Sequence, residues 1–301
     1  MLIDLHTHSN CSDGRQSPEE LVALAAGAQV RLLALSDHDT VAGISRAQAA
    51  GERQGVVILP AVELSTRWHG HSVHLLAYLP AAWRPEGAGG VALQSWLEGV
   101  RGKRDERNRG LVERLGTMGI RLDLSVLAEA VGVPVNQVGR PHIARWLVQQ
   151  GHASSVAEAF DRYLMPGAHT YVRLEGAPAV EAIEQVHACG GRASLAHPVR
   201  LKWEWEARFS ELLGAGLDAV EVYYPQHDSG LRRQLAELAR RHSLLMTGGS
   251  DFHGREQDRI GMGYPEAVVQ SWVGTLVEAL PADRPLASSL GSSSRPRDLP
   301  T

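Results

Sequence analysis

Two cysteines in 301 residues, Cys11 and Cys189, are too few for a disulfide framework in a chain this long, and a reducing, cytoplasmic setting is the expectation. No apolar run approaches the roughly 18 residues of a membrane span, and no charged-then-apolar leader opens the chain. Neither export nor membrane insertion is therefore expected. Neither sign of charge dominates, since 30 Lys and Arg against 34 Asp and Glu leave −4. That excludes a broad basic surface for gripping duplex DNA, but not a small or single-stranded phosphorylated ligand. Aromatic residues are scarce at 5%, with three Phe and six Tyr, against which 14 His stand out. With 44% hydrophobic and 21% charged residues the chain can bury a large core, which excludes a disordered or fibrous role. Its length fits one large domain, or one domain with an insertion.

Short apolar runs alternate with helical patterns. Residues 2–5, 32–35, 56–62, 74–79, 193–196, 219–222 and 244–247 read as seven strands, several of them near-continuous in the way of parallel strands covered on both faces. Ser17-Pro18-Glu19-Glu20 opens a helix with a capping box. Further helices are expected over 41–54, 178–189, 204–213 and 229–242. Repeated strand–helix units imply a parallel sheet with right-handed crossovers, either an α/β barrel or a doubly wound sheet. The rhythm breaks after residue 79, where helical stretches near 92–118, 125–131, 140–150 and 154–163 follow one another. The expected organisation is a catalytic scaffold over 1–79 and 180–280, a helical insertion over 80–179 and a mobile tail over 281–301 rich in Ser, Pro and Arg.

Five segments place metal-type ligands after a strand. His6 and His8 are two residues apart and address one side of an extended segment, with Asp13 following. His38 lies in Ser36-Asp37-His38-Asp39-Thr40. Glu63 ends an apolar run, where a carboxylate is costly unless paired or metal-bound, and His74 follows it. His197 lies in Leu195-Ala196-His197-Pro198, and Asp251 and His253 repeat the spacing of the first segment. In α/β folds such strand ends gather on one edge. His69, His71, His152, His169, His187 and His242 lack such company and read as loop, surface or packing residues, and Cys11 as incidental to the first segment. A donor set of imidazoles and carboxylates suits two or three divalent ions, Mn first, with Fe or Zn as alternatives.

The segments HTHSNCSDG, SDHDT, VELS, LAHP and SDFHG, in this order, resemble the motifs of the PHP family, the polymerase and histidinol phosphatase domain. The resemblance implies a distorted seven-stranded (βα) barrel and a site of two or three metals. By motif position it implies His6, His8, Glu63 and Asp251 on one ion, Glu63 bridging to a second held by His74 and His197, and Asp13, His38 and His253 on a third. Asp13 stands where some branches have histidine. That departure counts against histidinol phosphate hydrolysis, whereas the wording Thr7-His8-Ser9 through Asp13-Gly14, the long insertion and Gly139-Arg140-Pro141-His142 are similar to the branch acting on nucleoside 3′,5′-bisphosphates and on short RNA from the 5′ end.

The expected activity is phosphoester hydrolysis by hydroxide generated at the metals, since bound metal lowers the pKa of water by several units. Removal of the 3′-phosphate of a nucleoside bisphosphate is the first reading, with short single-stranded RNA as a further substrate. Histidinol phosphate hydrolysis and a non-catalytic module of a nucleic-acid-processing assembly are the alternatives. His253 or His227 is the candidate proton donor to the leaving group. Arg140, Arg200 and His142 are the candidates for gripping a second phosphate, because guanidinium forks onto phosphate. A ring of Tyr223-Tyr224 reads as packing or as a base stack. Residues 101–109, with five basic and two acidic side chains, read first as a solvated helix face with i,i+4 pairs and second as a phosphate-guiding surface.

Overall fold

A computed structural model describes residues 2–80, 82–201 and 204–261. The expectations for a tail over 281–301 and for scaffold over 262–280 lie outside the described residues. The strands are β1 (Leu2–Thr7), β2 (Val30–Leu35), β3 (Val57–Trp68), β4 (His71–Tyr78), the two-residue β5 (Ala177–Pro178), β6 (Arg192–Leu195), β7 (Ala219–Tyr223) and β8 (Leu245–Gly248). Hydrogen bonding runs β1-β2-β3-β4-β6-β7-β8, seven strands on the main path, with β5 appended to β3. The segment after β8 returns to β1. Thr7 bridges Phe252 in parallel, His8 N–H donates to Phe252 O at 2.9 Å, and Asp251 N–H to His6 O at 2.9 Å. The path thus curls into a distorted barrel.

Residues alternate between its two faces. Ile3, Leu5, Leu32, Ala34, Leu59, Ala61, Leu76 and Tyr78 form the inner cluster. Leu33, Leu35 and Ile58 face outward onto α1 (Pro18–Gly27) and α2 (Ile44–Gln54) through Leu21, Val22, Ala25, Ala47 and Ala50. Both faces are dry, which is why these strands read as unbroken apolar runs. Among the polar groups inside, the Tyr78 hydroxyl donates to Leu5 O at 3.0 Å. The α1 capping box forms as expected: Glu20 N–H donates to Ser17 Oγ at 3.2 Å, and Ser17 N–H to the Glu20 carboxylate at 2.8 Å.

The all-parallel expectation needs correction at β4, which runs antiparallel to both β3 and β6. Its cause is local. Trp68 pairs with His71 across the two-residue turn His69-Gly70, whose φ values of 47° and 80° are those of the turn that suits a twisted hairpin. That reversal has a consequence for the site, because the first residues of β4 then lie at the edge where the parallel strands end.

Between β4 and β5 the chain forms α3 (Ala88–Thr117), α4 (Leu124–Val131), α5 (Arg140–Gln149) and α6 (Val156–Ala159), the last running into a π-turn over Phe160–Leu164. They pack around their own apolar cluster, including Leu111, Leu115, Leu127, Ile143, Leu147 and Tyr163. The first half of α3 belongs instead to the sheet, since Leu93 and Leu97 join the outer cluster with α7 (Ala179–Ala188), α8 (Phe209–Gly214) and α9 (Ser229–Arg241). Among the described residues no helix is long and apolar enough to cross a membrane.

Candidate metal centre

The strand ends deliver His6 from β1, His8 just beyond it, His38 after β2, Glu63 within β3, His197 after β6 and Asp251 and His253 after β8. Because β4 is reversed, its His74 reaches the same edge, opposite Ser65 in register. Three sets of donor atoms lie mutually within 4.8 Å: His6, His8, Glu63 and Asp251; His38, Glu63 and His74; and His8, Asp13, His38 and His253. Glu63 stands at their junction. Its Oε1 is 2.7 Å from His74 Nδ1 and 2.8 Å from His197 Nε2, and its Oε2 is 3.1 Å from both His6 Nε2 and His8 Nε2. All nine expected ligands are therefore brought together, while His69, His152, His187 and His242 lie elsewhere, His187 on Asp218 at 2.8 Å and His69 on Glu211 at 2.5 Å.

The electrostatics suit a cation cage. Burial by itself would raise Glu63, Asp13 and Asp251, yet the imidazoles around them hold all three well below the usual carboxylate range. Burial works against His8 too, but Asp251 and Glu63 push it up to about 10, whereas burial carries His38 down to about 3 and lowers His197. Both nitrogens of His8, Asp13 Oδ1 and His38 Nδ1 are buried without a hydrogen-bond partner. Ionised acids and unpartnered imidazole nitrogens aimed at one another fit divalent ions.

Strain collects here. Asp39, His197 and Asp251 adopt φ of 51°, 30° and 53°, a region non-glycine residues seldom occupy. Gly249 is required by a close approach, since a Cβ there would lie 2.2 Å from His6 Cβ and 2.4 Å from His6 N.

Several supporting groups escaped the sequence reading. Glu221 of β7, fully buried, accepts from His6 Nδ1 at 3.0 Å and from His197 N–H at 2.6 Å, a carboxylate that orients two ligands. Asp37 accepts from Ser9 N–H, Ser9 Oγ and Ser12 Oγ at 2.8, 2.6 and 2.6 Å and shapes the loop that carries Asp13. Asp4 accepts from Ser250 N–H at 2.9 Å and Gly261 N–H at 2.8 Å, tying β1 to the loop of Asp251. A signal existed: a carboxylate in the apolar Ala219–Tyr223 run is the same anomaly that singled out Glu63.

Beside the ligands opens a cleft of about 740 Å³, lined among others by Asp13, His38, His74 and His253 and by Arg15, Arg67, Arg104, Arg107, Arg140, Arg145, Arg200 and Arg255. Arg140 lines it from the first turn of α5. Arg200 also lines it, but its guanidinium is engaged with Asp251 Oδ2 at 2.7 Å and with the Tyr224 hydroxyl, and Asp251 holds its pKa up against burial. His142 is 3% exposed, and its Nδ1 accepts the Gly139 N–H at 3.0 Å. His227 is engaged at both nitrogens, Nδ1 donating to Val222 O at 2.9 Å and Nε2 accepting from Val199 N–H at 3.4 Å, and it is not among the cleft-lining residues. Its ring has no nitrogen left to carry a proton to a substrate. Tyr224, 2% exposed, packs and donates to Asp251 Oδ2 at 3.1 Å rather than offering a stacking face.

The solvated-face expectation for residues 101–109 holds for only half of that segment. Lys103 pairs with Glu106 and Arg109 with Asp105 outside, but Arg104 and Arg107 are each 6% exposed, and Arg104 reaches Asp39 and Ser65. A helix at this position turns one stripe of its basic residues toward the sheet edge, and sequence charge alone does not tell stripe from surface.

The PHP domain signature matches residues 4–95. The 5′-3′ exoribonuclease Rnm of Escherichia coli is 37% identical over 262 residues, spanning 84% of this chain and 85% of that protein. The 3′,5′-nucleoside bisphosphate phosphatase of Chromobacterium violaceum is 33% identical over 267 residues, 88% of this chain and 91% of that one. A solved structure from Bifidobacterium adolescentis, assigned as a metal-dependent phosphoesterase, matches with a TM-score of 0.79 at 29% identity, over 90% of this chain and 95% of its own.

Proposed function

Because this chain belongs to the PHP family of metal-dependent phosphoester hydrolases, we propose that it removes the 3′-phosphate of nucleoside 3′,5′-bisphosphates and shortens small single-stranded RNA from the 5′ end. The observation that carries this reading is the convergence of three ligand sets, two of them sharing Glu63, at the mouth of a cleft whose walls hold eight arginines. A chain of net charge −4 does not gather that many cations in one cleft for solubility. The relatives named for bisphosphonucleotides and for RNA point to the same two substrates.

His6, His8, Glu63 and Asp251 would hold one ion, Glu63, His74 and His197 a second, and Asp13, His38 and His253 a third, with Mn preferred. Such ions supply an activated water and neutralise charge on the phosphoryl oxygens. The protein's own groups do the rest. Glu63 ties two of the sets together by sharing its two oxygens among five imidazoles, those of His6, His8, His38, His74 and His197. Glu221 holds the His6 ring so that Nε2 faces Glu63 and Asp251. Arg200 and Tyr224 engage the second oxygen of Asp251 and so turn Oδ1 toward His6 and His8. His253 lines the cleft, but with its Nδ1 2.8 Å from Asp251 O and its Nε2 facing Asp13 it serves the third ion as a ligand rather than as the proton donor. The segment 80–179 acts as an insertion that supplies the second wall. Cys11 and Cys189 are both free, in keeping with a cytoplasmic setting.

The test is a panel of adenosine 3′,5′-bisphosphate, adenosine 3′-monophosphate, histidinol phosphate, 4-nitrophenyl phosphate and 5′-phosphorylated tetranucleotides, assayed with Mn. Preference for the bisphosphate and for 5′-phosphorylated RNA is expected; equal or better turnover of histidinol phosphate overturns the substrate reading.

A further inference from the structure

The cleft continues past the metal ligands to a wall made by α3, α5 and the Phe160–Leu164 turn, where Arg107, Arg140, Phe160 and Tyr171 line it. Arg107 is the anomaly of this wall. It is 6% exposed, its Nε is wholly buried without a partner, and no described residue gives its guanidinium a hydrogen bond or an ion pair. The charged groups around it are Arg140 and Arg104, both repulsive, and the Tyr171 hydroxyl; burial and the two arginines bring its pKa down to about 9. Arg104 is committed to Asp39 and Ser65. Arg140, whose own pKa burial also lowers, has one carbonyl, Leu164 O at 3.3 Å, and lies 6.0 Å from the Phe160 ring centre at the positive end of α5.

Burying a guanidinium beside two others without a counter-charge is unfavourable. Such an arrangement is kept where an anion completes it, and Arg107 lines the cleft with a guanidinium that no described residue occupies, the group that pairs with phosphate in a forked geometry. Arg200, by contrast, already has its carboxylate. We propose that Arg107 and Arg140 form a distal subsite for a terminal phosphate monoester, the 5′-phosphate of a nucleotide or of an RNA end, while the metal centre acts on the scissile phosphate. The subsite rests on the nucleotide reading above and assigns its second phosphate to the α3–α5 wall instead of to Arg200.

The Mn-loaded enzyme, Arg107→Gln, Arg107→Lys and Arg140→Gln are compared on adenosine 3′,5′-bisphosphate against adenosine 3′-monophosphate, and on 5′-phosphorylated against 5′-hydroxyl tetranucleotide RNA. The kcat/KM ratio of the phosphorylated to the unphosphorylated member should fall about 100-fold in Arg107→Gln, mainly through KM, and less in Arg107→Lys, which keeps the charge without the fork. A fall in the mononucleotide pair alone assigns the subsite to nucleotides, and a fall in both pairs to RNA ends as well. In parallel, adenosine 5′-monophosphate and adenosine are titrated into the chelator-treated full chain. Arg107→Gln should weaken the former at least 10-fold and close the gap between the two. A ratio and an affinity both within twofold of wild type, in a variant that melts like wild type, overturn the subsite. Should Arg107→Gln fail to fold, Arg107→Lys and Arg140→Gln carry the same readouts. A wild type without preference for 5′-phosphorylated substrates refutes the nucleotide reading, and Arg107-dependent phosphate binding then still stands by itself.

Discussion

Replacing Glu221 by Gln removes one charge and almost no volume, and its consequence follows from hydrogen-bond inventory. The carboxylate accepts twice, from His6 Nδ1 at 3.0 Å and from the His197 N–H at 2.6 Å, at full burial. A carboxamide offers one acceptor and one donor group. If its oxygen keeps His197, its NH₂ confronts His6 Nδ1 and selects the tautomer protonated on Nε2, the nitrogen 3.1 Å from Glu63 Oε2 and 3.4 Å from Asp251 Oδ1. A protonated nitrogen cannot ligate. If the oxygen keeps His6 instead, a buried amide N–H faces another donor, at a cost of about 1–3 kcal/mol. Either outcome weakens metal binding, and loss of an orienting partner of this kind typically reduces affinity ~10–100-fold. Competition between the protein and a chelator for Mn or Zn measures this directly. The metal-free variant should also melt lower, by roughly 2–4 °C per kcal/mol for a chain of this size. Unchanged metal affinity in Glu221→Gln would refute the claim that this carboxylate sets the His6 tautomer.

Glu63→Gln should keep the fold and lose activity by ~10³-fold or more, because two of the three ligand sets share this side chain; turnover near wild type would remove Glu63 from the centre. Gly249→Ala should lower both the melting temperature and metal content, since its Cβ meets the His6 backbone at 2.4 Å; wild-type melting would mean the approach relaxes freely. Burial brings His142 down to about 4, so the unfolded chain takes up its proton near pH 6.5 and the native chain does so only near 4. The resulting contribution is present above pH 6.5 and is lost as pH falls toward 4, by roughly 3 kcal/mol at the limit. Denaturant unfolding of the chelated protein should therefore show a weaker dependence over this window in His142→Gln, with His38 still contributing the same sign; an identical slope would contradict this. Arg46→Ala should cost under ~1 kcal/mol despite a 2.7 Å pair with Glu19, because both side chains are half exposed; a larger loss in the same unfolding assay would show that the pair is more than a surface contact.

Much of the scaffold was legible in the sequence because its signals are local. Apolar runs of four to seven residues mark the seven main strands wherever both faces of a strand are dry, and Ser17-Pro18-Glu19-Glu20 announces α1 by its own hydrogen bonds. The reversal of β4 was not legible from hydrophobic periodicity, which is the same in either direction; the signal lay in the His69-Gly70 turn. Among the site residues, those in short dense motifs such as His6, His8, Asp251 and His253 were visible because several donors fall within a few positions. Glu221, Asp37 and Asp4 were not assigned, since a single acid in a strand or turn has no local companion, and its partners lie 215, 28 and 246 residues away along the chain.

The sequence by itself thus determined the residue types, their placement at strand ends and the family to which they belong, all properties of composition, period and motif order. Tertiary structure alone decided which arginines are free. Arg200 is ion-paired with Asp251, whereas Arg107, on a helix segment that reads as solvent-facing, lies buried and unpartnered. The reason is physical: a guanidinium's availability depends on which carboxylates lie within a few ångströms of it and how much water it retains, and neither quantity is written along the chain.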